Sequence, residues 1–339
     1  MKRHPALFAI LLLAGSLVVS LGAQANYGAV KDYQVPRLAG GHPDLQGVWG
    51  NNSVTPMTRP RQWKDKAQLT EAELTELKQM AVKSVDEGGD AIFGNLVQQL
   101  LDAKDKGDFK QTSYDPTTGN YNQFWMADRE WDLRTSLIID PADGQFPELT
   151  ADAKARRAAA AARPRTRGPA DGPEDRPLSE RCISYGAPRT QPNYNSYTQI
   201  IQSPDTVVLL QEMIHDARVV PMTAKPHLPA RLRQLHGDPR GRWDGDSLVV
   251  ETTNYINGFL GSTADVRLTE RYTRVAPDFI NWAVTVEDPA TWTKPYTFMI
   301  RLKKAEGQIY EYACHEGNYS MEGILAGARH EEALKKGKK

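Results

Sequence analysis

The densest group of residues able to move a proton or bind charge is Glu212-Met-Ile-His215-Asp216-Ala-Arg218. Histidine titrates near pH 6.5, so a small environmental push makes His215 an acid or base at neutral pH. Asp216 would orient the ring, and Arg218 would meet negative charge on a substrate. A second group, Cys314-His315-Glu316-Gly-Asn-Tyr319, repeats the pairing of imidazole and carboxylate. His215, Asp216, His315 and Glu316 are therefore the candidate catalytic residues. Arg218, Trp125, Trp282 and Tyr319 are the candidate substrate contacts, because aromatic rings among polar side chains suit an organic-ligand pocket. Plainer readings stand beside these: Arg218 as the ion-pair partner of Asp216 or Glu212 at a strand end, His315 as a hydrogen-bonded turn residue, and most rings as core.

Other chemistries lack their motifs. His215, His227 and His236 with Asp216 or Asp238 could in principle ligate zinc, but no His-x-His, His-Glu-x-x-His or Cys-x-x-Cys spacing is present, so no metal is expected. Asp244-Gly-Asp246 lacks the remaining positions of an EF-hand and reads as a hairpin turn. Neither a Walker A sequence nor G-x-G-x-x-G after a strand occurs, so no nucleotide cofactor is expected. Gly261-Ser262 lacks the context of a hydrolase nucleophile elbow. With 42 Lys+Arg against 42 Asp+Glu and no long block of one sign, nothing predicts nucleic acid or an anionic membrane as partner.

The elements that must hold these residues begin after residue 25. Met1-Lys2-Arg3, an apolar run over 6–21 and Ala23-Gln24-Ala25 have the form of a secretory signal cleaved after Ala25. That reading predicts a periplasmic or secreted protein with no integral membrane association. Export favours pairing the two cysteines, Cys182 and Cys314, as a disulfide. Residues 26–61, rich in Gly, Pro and Asn, predict an irregular segment on the surface. Thr70 and Glu73 stand at capping-box spacing ahead of Leu74, Leu77, Met80 and Ala81, which predicts a helix ending near Gly88-Gly89. A weaker helical pattern spans 93–101, and Thr135 to Ile139 reads as a strand. The Ala/Arg/Pro-rich stretch 151–177 reads as an exposed connection between residues 26–150 and a β-domain over 178–330, followed by a basic tail at 331–339.

Beyond Pro177 short β-rich runs alternate with turn chemistry: 198–202, 206–213, 247–253, 266–275, 279–287, 296–302 and 308–313. Asp244-Gly245, Asp288-Pro289 and Glu306-Gly307 supply the reversals. Ile280, Trp282, Val284 and Val286 alternate with more polar residues, so one face of that strand is core. No helix-length segment separates these runs. The fold class is therefore mainly β, an antiparallel meander closed as a barrel or sandwich, with a helical and irregular N-terminal part. Tracing the 206–213 strand onward to Arg218 places Glu212, Asp216 and Arg218 on one face and His215 on the other.

The segments Asp44-Leu-Gln-Gly-Val-Trp49, Tyr121-Asn-Gln-Phe-Trp125, Arg134-Thr-Ser-Leu-Ile-Ile-Asp-Pro141, Gly241-Arg-Trp-Asp-Gly-Asp246 and Tyr310-Glu-Tyr-Ala-Cys-His-Glu-Gly-Asn-Tyr319, with others between, resemble a group of exported bacterial proteins. The resemblance spans about 42–329 and brings no reaction with it. The residues themselves predict an exported, cofactor-independent enzyme doing acid–base chemistry on a small aromatic or apolar molecule, as a lyase, isomerase or hydrolase. The alternatives are a lipocalin-like protein that binds an apolar ligand without catalysis, and an envelope interaction protein that makes contact through 151–177.

Overall fold

The structure, a computed structural model, describes residues 27–86, 95–108, 129–164, 166–192 and 194–337. Ten strands lie among them: β1 (Gly47–Gly50), β2 (Ile138–Asp140), β3 (Tyr197–Gln202), β4 (Thr206–Gln211), β5 (Ala217–Pro221), β6 (Asp238–Asp244), β7 (Ser247–Thr253), β8 (Arg267–Ala276), β9 (Phe279–Glu287) and β10 (Tyr296–Lys304). The α-helices are α1 (Glu71–Asp86), α2 (Leu96–Lys106), α3 (Ala151–Ala162) and α4 (Tyr319–Lys336). None of the described helices is long and apolar enough to cross a membrane.

The expected antiparallel β fold is present. Strands pair in the order β5-β4-β3-β1-β10-β9-β8-β7-β6, with β2 added beside β10. The sheet curls until its two end strands approach at Met222 and Gly241, giving a nearly closed nine-strand barrel. Gly241 makes that approach possible, since a Cβ there would lie 2.4 Å from Met222 Sδ and 2.9 Å from Val220 Cγ1. Strands β7 and β9 cover the expected residues, and Ile280, Trp282, Val284 and Val286 do face the interior. Thr70 and Glu73 form the expected capping box at the start of α1: the Thr70 hydroxyl accepts from Glu73 N–H (3.3 Å) and the Glu73 carboxylate from Thr70 N–H (2.8 Å). Together α1 and α2 close a smaller second core around Leu74, Leu77, Leu96 and Leu100. The expected stop at Gly88-Gly89 lies outside the described residues.

Four expectations need correction. The strand traced through Arg218 is two strands: β4 ends at Gln211, Met213–His215 turn sharply, and β5 comes back to pair Arg218 with Leu209. Ile214 (φ 56°) and His215 (φ 46°) hold left-handed backbone in that turn, which a β-branched residue rarely adopts. The N-terminal segment is not wholly irregular, because β1 inserts between β3 and β10 and buries Trp49. Residues 308–313 form no strand, since both edges of β10 are already taken by β9 and by β1 with β2. The end of the stretch expected to be β-domain is helical: α4 starts at Tyr319, runs on to Lys336 and buries none of its residues.

The barrel interior is filled by side chains rather than open. Leu248, Val250, Ile280, Val284, Phe298 and Ile300 are all essentially inaccessible. Among these apolar groups the alternation of β8 turns Glu270 inward between Leu268 and Tyr272, and β5 turns Arg218 to meet it. Arg218 Nη1 donates to Glu270 Oε2 at 3.1 Å and Nη2 to Oε1 at 2.5 Å. Tyr272 Oη (2.8 Å) and Trp282 Nε1 (3.2 Å) also donate to Glu270, and Thr252 Oγ1 accepts from Arg218 at 3.1 Å. Removing one partner of such a buried pair strands the other charge and costs about 3 to 5 kcal/mol. Chemical denaturation should therefore show Arg218→Met and Glu270→Leu each destabilising by that amount, and the double variant losing much less than the sum.

Candidate functional site

The segment Glu212–Arg218 is where buried charge concentrates, but the turn at 213–215 sends its three charged groups to three different places. Arg218 enters the barrel. Asp216 meets the loop that follows Cys182, and Glu212 faces a cleft at the barrel end.

That cleft has a volume of about 370 Å³ and lies between β1, β3, the end of β10 and the segment 305–310. Its walls include Asn52, Glu130, Tyr197, Glu212, Lys303 and Tyr310. Gly50 leaves room for the Tyr197 ring, which would lie 2.7 Å from a Cβ at that position. Asn52 Nδ2 reaches the Tyr197 hydroxyl at 3.4 Å, and Lys303 Nζ donates to Glu130 Oε1 at 2.5 Å. Glu212 is 5% exposed, and its Oε2 is buried without a hydrogen-bond partner. Burial raises the Glu212 carboxyl above the usual range; backbone donors at Tyr197 and Tyr310, the Asn195 side chain and the Arg189 charge offset this only in part.

Arg189 is the cation closest to matching it. Its Nη groups donate to the carbonyls of Asn195 and Tyr194, its guanidinium lies 4.9 Å from the centre of the Tyr185 ring, and its Nε is buried without a partner. Burial lowers its affinity for a proton, and the Glu212 charge works the other way. An acid with a raised pKa, an arginine beside it and tyrosine hydroxyls around a cleft make a group able to give or take a proton next to a bound molecule. The left-handed backbone at Ile214 and His215 begins two residues after Glu212, and backbone strain of this kind gathers at functional sites.

The disulfide Cys182–Cys314 is present, with Cα atoms 5.6 Å apart and a sequence separation of 132. In the loop-entropy treatment a link over that span contributes roughly 4 to 5 kcal/mol. It ties the segment after β10 to residues 180–182, and Asn318 Nδ2 adds bonds to Glu180 O (3.2 Å) and Cys182 Sγ (3.3 Å). Just beyond Cys182, Ser184 Oγ donates to Asp216 Oδ2 at 2.9 Å and lies 2.9 Å from His236 Nε2, while Asp216 also accepts from Tyr185 N–H at 3.0 Å. These are the residue types of a catalytic triad in the wrong arrangement. A triad needs its carboxylate on Nδ1, whereas Asp216 approaches the same ring nitrogen as the serine, at 3.4 Å, and takes the serine proton itself. The three residues clamp the disulfide loop to β5.

Burial lowers the His236 pKa; Asp216 opposes that shift and Arg218 adds to it. The folded protein therefore holds His236 neutral more firmly than the unfolded chain does. Its contribution to stability is complete above pH 6.5 and falls as the pH drops below that value toward the lowered one. Melting temperatures followed from pH 8 to 5 should fall more steeply for the wild type than for His236→Gln.

The other predicted site residues are dispersed. His215, His315 and Glu316 are exposed, and Tyr319 is 78% exposed at the start of α4. Arg218 is 2% exposed and held by Glu270, so it meets neither Asp216 nor Glu212 as ion-pair partner. Trp282 stacks on Tyr272 (5.7 Å between ring centres) within the core. Trp125 lies outside the described residues. Glu212 stood in the sequence only as a partner for Arg218, while Arg189, Tyr197, Ser184 and His236 carried no spacing signal that would have found them. Among the described residues no group of three or more His, Cys, Asp or Glu is placed to hold a metal ion.

No family model matches the chain, and no curated protein matches it. Among solved structures, a secretary abundant heat soluble (SAHS) protein from Ramazzottius varieornatus is similar over 32% of this chain and 70% of its own, with 13% identity and a TM-score of 0.23. A likeness that slight bears on neither fold nor activity.

Proposed function

We propose that this is an exported, cofactor-independent enzyme that binds a small polar or aromatic molecule in the cleft at the barrel end and moves a proton on it with Glu212. The observation that carries this reading is the buried, unpartnered Glu212 Oε2 at the wall of a 370 Å³ cleft. Keeping a carboxyl there costs stability at neutral pH, and a raised pKa is what proton transfer near pH 7 uses. The group takes the acid–base role that the sequence suggested for His215 and His315. The hydroxyl of Tyr197 lines the same cleft and can bind an oxygen atom that gains charge as the proton moves, while the Arg189 charge acts on Glu212 from behind it. The Cys182–Cys314 disulfide supports an oxidising compartment.

The test is hydrogen exchange at carbon. Small aromatic and hydroxy-carbonyl compounds incubated with the protein in D₂O should show, by NMR, enzyme-dependent deuteration of one member of the panel. Glu212→Gln should slow it about 10²- to 10⁴-fold. Retention of the wild-type rate in the folded variant rejects the role, and binding of a panel member with no exchange in either protein favours the non-catalytic binder.

A second readout needs no substrate. Because the folded state raises the Glu212 pKa, it binds that proton more tightly than the unfolded chain, so Glu212 costs stability as the pH rises above 4.5. Glu212→Gln should therefore melt a few degrees higher than wild type at pH 7.5, with the gain disappearing below pH 4.5.

A further inference from the structure

A second cleft, of about 420 Å³, opens at the seam where β5 and β6 meet without a continuous ladder. It does not share a lining residue with the Glu212 cleft. One wall is apolar and aromatic: Met222 from the end of β5, and Trp243 of β6 with His42 stacked on it, ring centres 5.1 Å apart and planes within 10°. The single carboxylate in the lining is Glu251, and both its oxygens are matched. Oε1 lies 3.1 Å from His227 Nε2, and Oε2 lies 3.4 Å from Arg267 Nη1.

His227 is itself fixed from behind. Its Nδ1 lies 3.1 Å from the buried Asp238, which also accepts from Leu228 N–H (2.7 Å) and from Arg240 (2.5 Å). Each of its ring nitrogens thus faces one carboxylate, and Arg267 and Arg240 bring a full positive charge to Glu251 and Asp238. The acidic groups at this cleft thus have cations of their own. Arg242, exposed and lining the same space, has no ion-pair partner within 4 Å among the described residues.

We infer that this seam is a binding site for an aromatic anion, a planar ring carrying a carboxylate or sulfonate. The ring would lie against Trp243 and Met222, and the anionic group would meet Arg242 at the mouth. The neutralised Glu251 is what lets a negative ligand enter; a free carboxylate in that position would repel it.

The probe is 4-fluorobenzoate, followed by ¹⁹F NMR on the full-length folded protein. The wild type should bind it, and 4-fluorobenzyl alcohol, which has the same ring and no charge, should bind at least about tenfold more weakly. Arg242→Ala, an exposed substitution that leaves the core untouched, should cost about tenfold for the benzoate and leave the alcohol unchanged. Glu212→Gln, in the other cleft, should leave benzoate binding as it is. Equal binding of the two probes, full benzoate affinity in Arg242→Ala, loss of it in Glu212→Gln, or no benzoate binding at millimolar concentration would each overturn the assignment.

Discussion

A guanidinium and a carboxylate enclosed by leucine, valine and phenylalanine are tolerable only together, and the pair Arg218–Glu270 imposes that condition on the whole barrel. Arg218 comes from β5 and Glu270 from β8, strands that lie six places apart along the sheet and meet across its interior. Any register slip in either strand would flip one of the two outward and leave the other uncompensated. Thr252, Tyr272 and Trp282 then have defined tasks, since each satisfies an oxygen or a proton that the pair alone would leave open. The arrangement serves uniqueness of packing more than strength, because the desolvation of two charges offsets much of their attraction.

The same pair explains why the charged segment 212–218 is not one site. Arg218 must point into the barrel, and the turn at 213–215 is what frees Glu212 and Asp216 from sharing its direction. Asp216 is then committed to Ser184, Tyr185 and His236, a set of bonds that fixes the loop carrying one end of the disulfide. Glu212 alone among the three is left with an oxygen that nothing satisfies, and this is the asymmetry from which a function can be read. A carboxyl kept in that state works against folding.

Much of the fold was legible in the residues. Strict alternation in β9, the branched run of β7 and the Thr70–Glu73 box leave little freedom, because each matches one period and one boundary signal. What escaped had physical reasons. Met213 and Ile214 continue the apolar pattern of β4, and nothing in their side chains announces left-handed backbone at Ile214. Strand β6 is absent from the expected strands because Pro239 and Gly241 are poor strand formers, although the glycine lets β6 approach β5. In α4, Gly323 and Gly327 mask a helix that has no buried stripe to reveal it. The candidate site was half legible: the sequence singled out the charged segment 212–218, but which of its residues faces a cleft depends on the turn between them, and Arg189 and Tyr197 arrive from elsewhere in the chain.

The place of β1 has a consequence for how the molecule is assembled. Strands β3 to β5 form one meander and β6 to β10 another, and the four residues Gly47–Gly50 are the splice that joins them along the sheet. Trp49 pairs with Thr198 on one side and with Lys304 on the other, so the first of these strands in chain order waits for the last. Closing loops of that length is slow compared with folding either meander. The two halves should therefore form first as separate curved sheets with exposed edges, and the short strand that unites them should be the last part of the barrel to settle and the first to let go.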